Sequence, residues 1–264
     1  MSAPADGFGI SAFGYRITVL TDCPAARAFL DRHLLPWLPR GVPDPEAADL
    51  VFQVSPNKDD QGFDAQAGDR FIASRDELPL IFTLLQSLID EKLVCRLPGL
   101  IAVHAGVVAW NGRAVLLPGA SQTGKTTLVT ELLKRGAVYF SDEYALLDAE
   151  GRVHAYPRAL MLRNSGGWQH PTLPSAWSAA TADSPAAVRL ILSVERGSSW
   201  KVHRIPQSEA LLLLLRNTPH EVADSPGMLD HLRLAVSSAV CYTGIRGEAA
   251  ESAGHVLELI ADLR

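Results

Sequence analysis

The chain has 264 residues, of which 47% are hydrophobic and 20% charged, enough apolar material for a packed core and too little charge for a disordered polymer. The formal net charge is -5 and no block of like charges stands out; a duplex nucleic-acid binder would need a cationic face to offset phosphate. Cys23, Cys95 and Cys241 lie far apart with no CxxC pair, so neither a disulfide framework nor a zinc site is implied and a reducing compartment follows.

The first residues, Met1-Ser-Ala-Pro-Ala-Asp-Gly, lack a basic start followed by an apolar run, which argues against a signal peptide. No apolar stretch approaches the ~18 residues of a membrane helix, and the expectation is a cytoplasmic protein. Residues 15–20 alternate and are rich in β-branched side chains, predicting a strand. A helix is expected over 24–38, with Ala25, Phe29 and Leu30 at helical spacing. Strands follow at 50–54 and 70–73 around a polar loop, then a longer amphipathic helix over about 77–94. Residues 1–98 thus read as a small α+β unit without a catalytic constellation.

The second region, 99–264, opens with two strand-like runs, 101–110 and 113–117, joined by Asn111-Gly112. Asn-Gly suits a two-residue type I′ turn because both positions need positive φ, so a β-hairpin is predicted. Its second strand runs into a glycine-rich loop, a helix is expected over 127–135, and Gly136 supplies the C-terminal cap. A strand at 138–140 ends at Ser141-Asp142-Glu143. Residues 145–154 look like another hairpin, a polar loop carries Gly166-Gly167, and a strand is expected at 188–194. Helices at 208–216 and 248–263 complete the pattern.

The loop Gly119-Ala120-Ser121-Gln122-Thr123-Gly124-Lys125-Thr126, followed by Thr127, fits the Walker A pattern between a strand and a helix. Its four fixed positions arise by chance in on the order of 1 in 100 chains of this length at average residue frequencies. The strand before and helix after lower that several-fold. Glycines let backbone N–H groups converge on phosphate oxygens, and a helix N-terminus adds unsatisfied N–H groups and partial positive charge. Lys125 is placed to bridge the β- and γ-phosphates and Thr126 to coordinate Mg²⁺. Asp142 and Glu143, at the end of the next strand, stand where a metal-binding acid and a base that accepts a hydroxyl proton belong. Asp142 is the candidate metal ligand beside Thr126. An acidic pair at a strand end is otherwise a solvated turn, and His104 on the first hairpin strand is otherwise a core histidine.

His104, the hairpin, Gly119 to Thr126, Glu131-Leu-Leu-Lys-Arg-Gly136 and Asp142-Glu143 together resemble the catalytic domain of bacterial HPr kinase/phosphorylase. In that family a histidine precedes a Gly-Asp-Ser-Gly-x-Gly-Lys-Ser loop, then come a helix ending in Lys-Arg-Gly and a strand ending in Asp-Asp. The resemblance covers about residues 100–150. It implies an α/β fold with a phosphoenolpyruvate-carboxykinase-like P-loop core, in which a hairpin of a mixed sheet precedes the Walker A loop. It further implies ATP and Mg²⁺ as cofactors, homo-oligomers, and phosphorylation of a serine hydroxyl. Glu143 occupies the place of the family's catalytic aspartate, Asp142 that of its neighbouring acid, and His104 that of its active-site histidine.

Three features depart from the family pattern. The second acid is Glu, one methylene longer, the loop reads Ala120-Ser121-Gln122, and no Glu-Val-Arg-Gly segment follows the acids. In its place stand Arg158 and Arg163, each open as a phosphate ligand or a surface residue. The expected activity is kinase transfer to a peptide or protein serine, catalysed by Glu143, Asp142, His104 and Lys125. A small-molecule hydroxyl acceptor and a nucleotide-binding regulatory module without transfer remain the alternatives.

Overall fold

A computed structural model describes residues 6–58, 61–119, 123–163 and 169–263. Helices and strands combine in a mixed α/β architecture, and the chain divides into two compact units, Met1–Arg96 with Arg158–Leu173 and Leu97–Pro157 with Pro174–Arg264. The sequence reading keeps Arg158–Leu173 within its second region; in the structure this stretch packs with the first unit. Among the described residues no helix is long and apolar enough to cross a membrane.

The first unit begins with β1 (Asp6–Ala12), β2 (Tyr15–Thr21), α1 (Pro24–His33), β3 (Leu50–Pro56), β4 (Phe63–Ala67), β5 (Arg70–Arg75) and α2 (Leu78–Val94). The strands form one sheet in chain order, antiparallel except for β2–β3, which α1 connects as a crossover. Phe8, Ile17, Val19, Phe52 and Val54 of the sheet are buried, as are Leu30 of α1 and Ile81, Phe82, Leu85 and Ile89 of α2. Helix α1 stops at His33 rather than at residue 38: Leu34 is extended, Leu35 has φ 44°, and Pro36 disfavours helical backbone in the residue before it. Strands β1 and β4 were not expected. Two glycines dilute β1, and β4 buries only the small Ala65, so neither shows a strong apolar alternation.

The second unit starts with β6 (Ile101–Trp110), β7 (Arg113–Pro118), α3 (Lys125–Lys134), β8 (Val138–Ser141), β9 (Tyr144–Leu147) and β10 (Arg152–His154). The chain then contributes β11 (Leu160–Arg163) and β12 (Gln169–Thr172) to the first unit as an antiparallel pair. It returns with β13 (Ala186–Arg196), β14 (Lys201–Arg204), α4 (Gln207–Arg216), α5 (Met228–Ser237), β15 (Val240–Arg246) and α6 (Ala249–Asp262). Asn111 (φ 51°) and Gly112 (φ 74°) make the hairpin turn between β6 and β7, as the dipeptide predicts.

The sheet of this unit runs β10-β9-β6-β7-β13-β15-β14, with β8 also paired to β6. Strands β7, β13 and β15 are mutually parallel and the other pairings antiparallel. Val103, Ala105, Val107 and Ala109 of β6 share a core cluster with Ala210 and Leu214 of α4 and Leu232, Ala235 and Val236 of α5. The alternate residue Gly106 lies under Val129 of α3, and α6 packs against α3. The sheet is therefore covered on both faces, which is why β6 reads as a continuous apolar run instead of an alternating one.

Candidate functional site

The sheet register determines where the chemistry-bearing residues meet. On β6, Ala105 pairs with Pro118, the last residue of β7 before the glycine-rich loop. On its other side the Ala105 N–H donates to the Glu143 carbonyl at 3.0 Å. Strands β8 and β9 run along successive halves of β6, and the interruption between them is Asp142-Glu143. The acid pair and the start of the loop thus flank one residue of β6. The Ser141 hydroxyl oxygen accepts from the N–H groups of Glu143 (3.2 Å) and Tyr144 (3.1 Å), which holds the turn between the two strands in shape.

The loop passes from Gly119 at the end of β7 into α3, whose N-cap is Gly124 at φ 84°. A side chain is strained at that φ, and a Cβ there would also strike the Arg246 guanidinium. Among the described residues no side-chain cap is made at this N-cap, and the first-turn N–H groups of a helix have no intrahelical partner, which makes such an end suited to an anion. Ala120, Ser121 and Gln122 lie outside the described residues. Thr127 is exposed in the first turn of α3.

Lys125 Nζ donates to the Gly119 carbonyl at 2.6 Å. Burial pushes the ammonium below its usual pKa, while Glu143 and Asp142 pull it back up, so the lysine senses both acids. The Thr126 hydroxyl donates to Asp142 Oδ2 at 3.1 Å, and the Tyr139 hydroxyl donates to Oδ1 at 3.1 Å. With Asp142 only 2% exposed, these bonds offset part of the cost of taking a carboxylate out of water. Glu143 is more open, with His104 Nδ1 at 3.5 Å from its Oε1. The His104 ring lies against Tyr144, centroids 4.5 Å apart. The structure therefore brings His104, Lys125, Thr126, Asp142 and Glu143 together.

Thr126 Oγ1 and Asp142 Oδ2 are adjacent hard oxygen donors, the kind Mg²⁺ selects, and Mg²⁺ ordinarily completes its shell with water and substrate phosphate rather than a protein cage. Among the described residues no group of three His, Cys, Asp or Glu side chains could hold a metal ion unaided. Arg158, open from sequence as a phosphate ligand or a surface residue, is not on the surface. It is buried in the first unit and bonded to Asp90. Cys241 is buried in the second unit, with its thiol pushed up to about 11 by desolvation, which removes it as a nucleophile.

Two site residues escaped the sequence reading. Tyr139 lies in the expected strand, three residues before Asp142, but nothing local marks its hydroxyl as a carboxylate donor. Arg246 ends β15 and donates from Nη2 to the carbonyls of Gly124 (3.2 Å) and Thr123 (3.4 Å), and from Nη1 to that of Gly247 (3.0 Å). Its signal was faint: an arginine closing a run of β-branched and aromatic residues. No protein-family model matches the chain, and a search of curated proteins finds no match.

Proposed function

We propose that the second unit binds ATP and Mg²⁺ and transfers the γ-phosphoryl group to a hydroxyl, a serine of a peptide or protein. The observation that carries this reading is the Thr126–Asp142 hydrogen bond at 3.1 Å, which ties the acid pair to the helix start. A phosphate loop alone would bind nucleotide; an acid pair beside it supplies what transfer needs.

In the proposed reaction the acceptor hydroxyl gives its proton to the Glu143 carboxylate, while His104, 3.5 Å away, orients that carboxylate. The acceptor oxygen bonds to the γ-phosphorus, the bond from that phosphorus to the bridging oxygen breaks, and ADP leaves with the bonding pair. Lys125 and the loop N–H groups stabilise charge on the γ-phosphoryl and leaving oxygens. Thr126 and Asp142 would hold Mg²⁺, which when bound neutralises charge on the β- and γ-phosphates. We further read the unit as a core of the HPr kinase/phosphoenolpyruvate carboxykinase type. The hairpin feeding the loop and the acid pair closing β8 support that assignment.

The test is incubation with γ-labelled ATP, MgCl₂ and a serine-containing peptide library, read by mass spectrometry. Phosphoserine is expected with the wild-type chain and none with Lys125→Ala. Turnover kept by Lys125→Ala would overturn the reading. A second reading, nucleotide binding without transfer, draws on the longer Glu143 side chain at the base position. It predicts bound nucleotide with no phosphorylated product from any acceptor offered.

A further inference from the structure

We infer that Arg246 is the residue that aims the phosphate-binding amides of the loop, a positioning role that rests on the nucleotide reading above. Three observations support it. First, Arg246 is 4% exposed, yet its guanidinium is spent on main-chain carbonyls: Thr123 and Gly124 through Nη2 and Gly247 through Nη1. Burial lowers its pKa, as does Arg196, while Glu248 raises it, and an arginine so placed stays charged. A buried cation is costly, and here its hydrogen bonds go to the two carbonyls at the end of the glycine-rich loop.

The second observation is peptide geometry. A trans peptide is planar, with its C=O and N–H pointing in opposite directions. Holding the Thr123 carbonyl toward Arg246 turns the Gly124 N–H the other way, and holding the Gly124 carbonyl does the same for the Lys125 N–H. The Gly124 carbonyl also accepts the first helical bond, from Leu128 N–H at 3.1 Å, so its peptide plane is held from two sides. These two N–H groups belong to the set that a phosphate loop converges on the α- and β-phosphates. Loop glycines are conformationally permissive and their amides can rotate away; the guanidinium removes that freedom before ligand arrives.

The third observation is topological. The loop leaves the carboxyl end of β7, and Arg246 stands at the carboxyl end of β15, with β13 parallel between them. Ligands in open α/β sheets bind beyond the carboxyl ends of parallel strands, so β15 delivers Arg246 to the back of the anion site. Its charge also adds to the positive potential of the α3 N-terminus.

The experiment measures ATP and ADP dissociation constants by calorimetry, together with the thermal midpoint, for wild type, Arg246→Met, Arg246→Lys and Arg246→Ala. Both nucleotides carry a β-phosphate, so Arg246→Met is expected to weaken both equally, by about 10- to 100-fold. Arg246→Lys keeps the charge without the fork and is expected to fall between wild type and Met. Millimolar guanidinium, but not NaCl at equal ionic strength, is expected to restore ADP affinity to Arg246→Ala. If Arg246→Met does not fold, Arg246→Lys and the guanidinium rescue carry the test. Wild-type affinity in either folded variant overturns the inference and leaves the nucleotide reading standing. Weakened binding that tracks a lost thermal midpoint and is not rescued by guanidinium makes Arg246 purely structural and overturns it too. A wild-type chain that binds neither nucleotide overturns both.

Discussion

In the first unit Asp90 and Arg158 meet one another, buried, with Gln86 Nε2 donating to Asp90 Oδ1 at 2.7 Å. In the second unit Asp142 receives hydroxyl hydrogen bonds from Thr126 and Tyr139, and Arg246 gives its own to backbone carbonyls at the loop. Both units bury an aspartate and an arginine, so composition and burial do not separate them. The partners do. In the first unit Arg158 and Asp90 of α2 set opposite charges directly against each other. In the second unit Asp142 takes hydroxyl hydrogen bonds beside the Lys125 ammonium and Arg246 bonds main-chain carbonyls, so under the proposed nucleotide reading their fields act at the glycine-rich loop.

The sharpest way to break this comparison is Glu143→Gln. Transfer is expected to fall by about 10²- to 10⁴-fold, the usual worth of a general base, while the denaturant midpoint stays near wild type; phosphopeptide yield and urea unfolding check the two halves. Asp90→Ala should do the reverse, leaving a buried cation uncompensated and costing the fold about 3–5 kcal/mol in urea unfolding. Pairing Asp90→Asn with Arg158→Met removes both charges, and the double variant is expected to recover most of that loss. A double variant no more stable than Asp90→Ala would show that the pair does more than cancel charge.

The smallest expected effect lies in the second unit, away from the loop. Asp148, between β9 and β10, accepts from Arg152 Nε at 2.9 Å and lies 2.8 Å from His154 Nε2. Burial alone would raise its pKa, but the bonds from His154, Arg152 and Glu150 outweigh burial and hold it below the usual carboxylate range. A depressed pKa means the folded state binds the proton more weakly than the unfolded chain. The stabilisation is therefore complete above the unfolded pKa of about 4 and is lost as pH falls through the folded value. Asp148→Asn should cost about 1 kcal/mol near neutral pH, and the gap between the two unfolding curves should close in acid. A gap that persists at low pH would assign the loss to packing instead.

Much of the second unit was legible because its signals are local. Asn111-Gly112 names its own turn, and Gly119 to Thr126 is a contiguous pattern whose glycines, lysine and threonine follow one another in the chain. Gly136, at φ 93° just after the C-cap of α3, ends that helix as expected. Helix α5 was missed although Met228, Leu232, Ala235 and Val236 carry helical spacing, because Ser225-Pro226-Gly227 ahead of it reads as a turn. Strand β14 was missed because an exposed basic edge has no apolar alternation.

By itself the sequence determined an α/β chain with a hairpin running into a glycine-rich loop, and an acid pair one helix and one strand later. Hydrophobic period and turn chemistry act over a few residues, so they can be read from neighbours. Tertiary structure alone decided that Arg158 stabilises the first unit while Arg246, 122 residues from Gly124, reaches the loop. A buried charge is defined by whichever strand the fold lays beside it, and that adjacency is written in sheet order rather than in spacing along the chain.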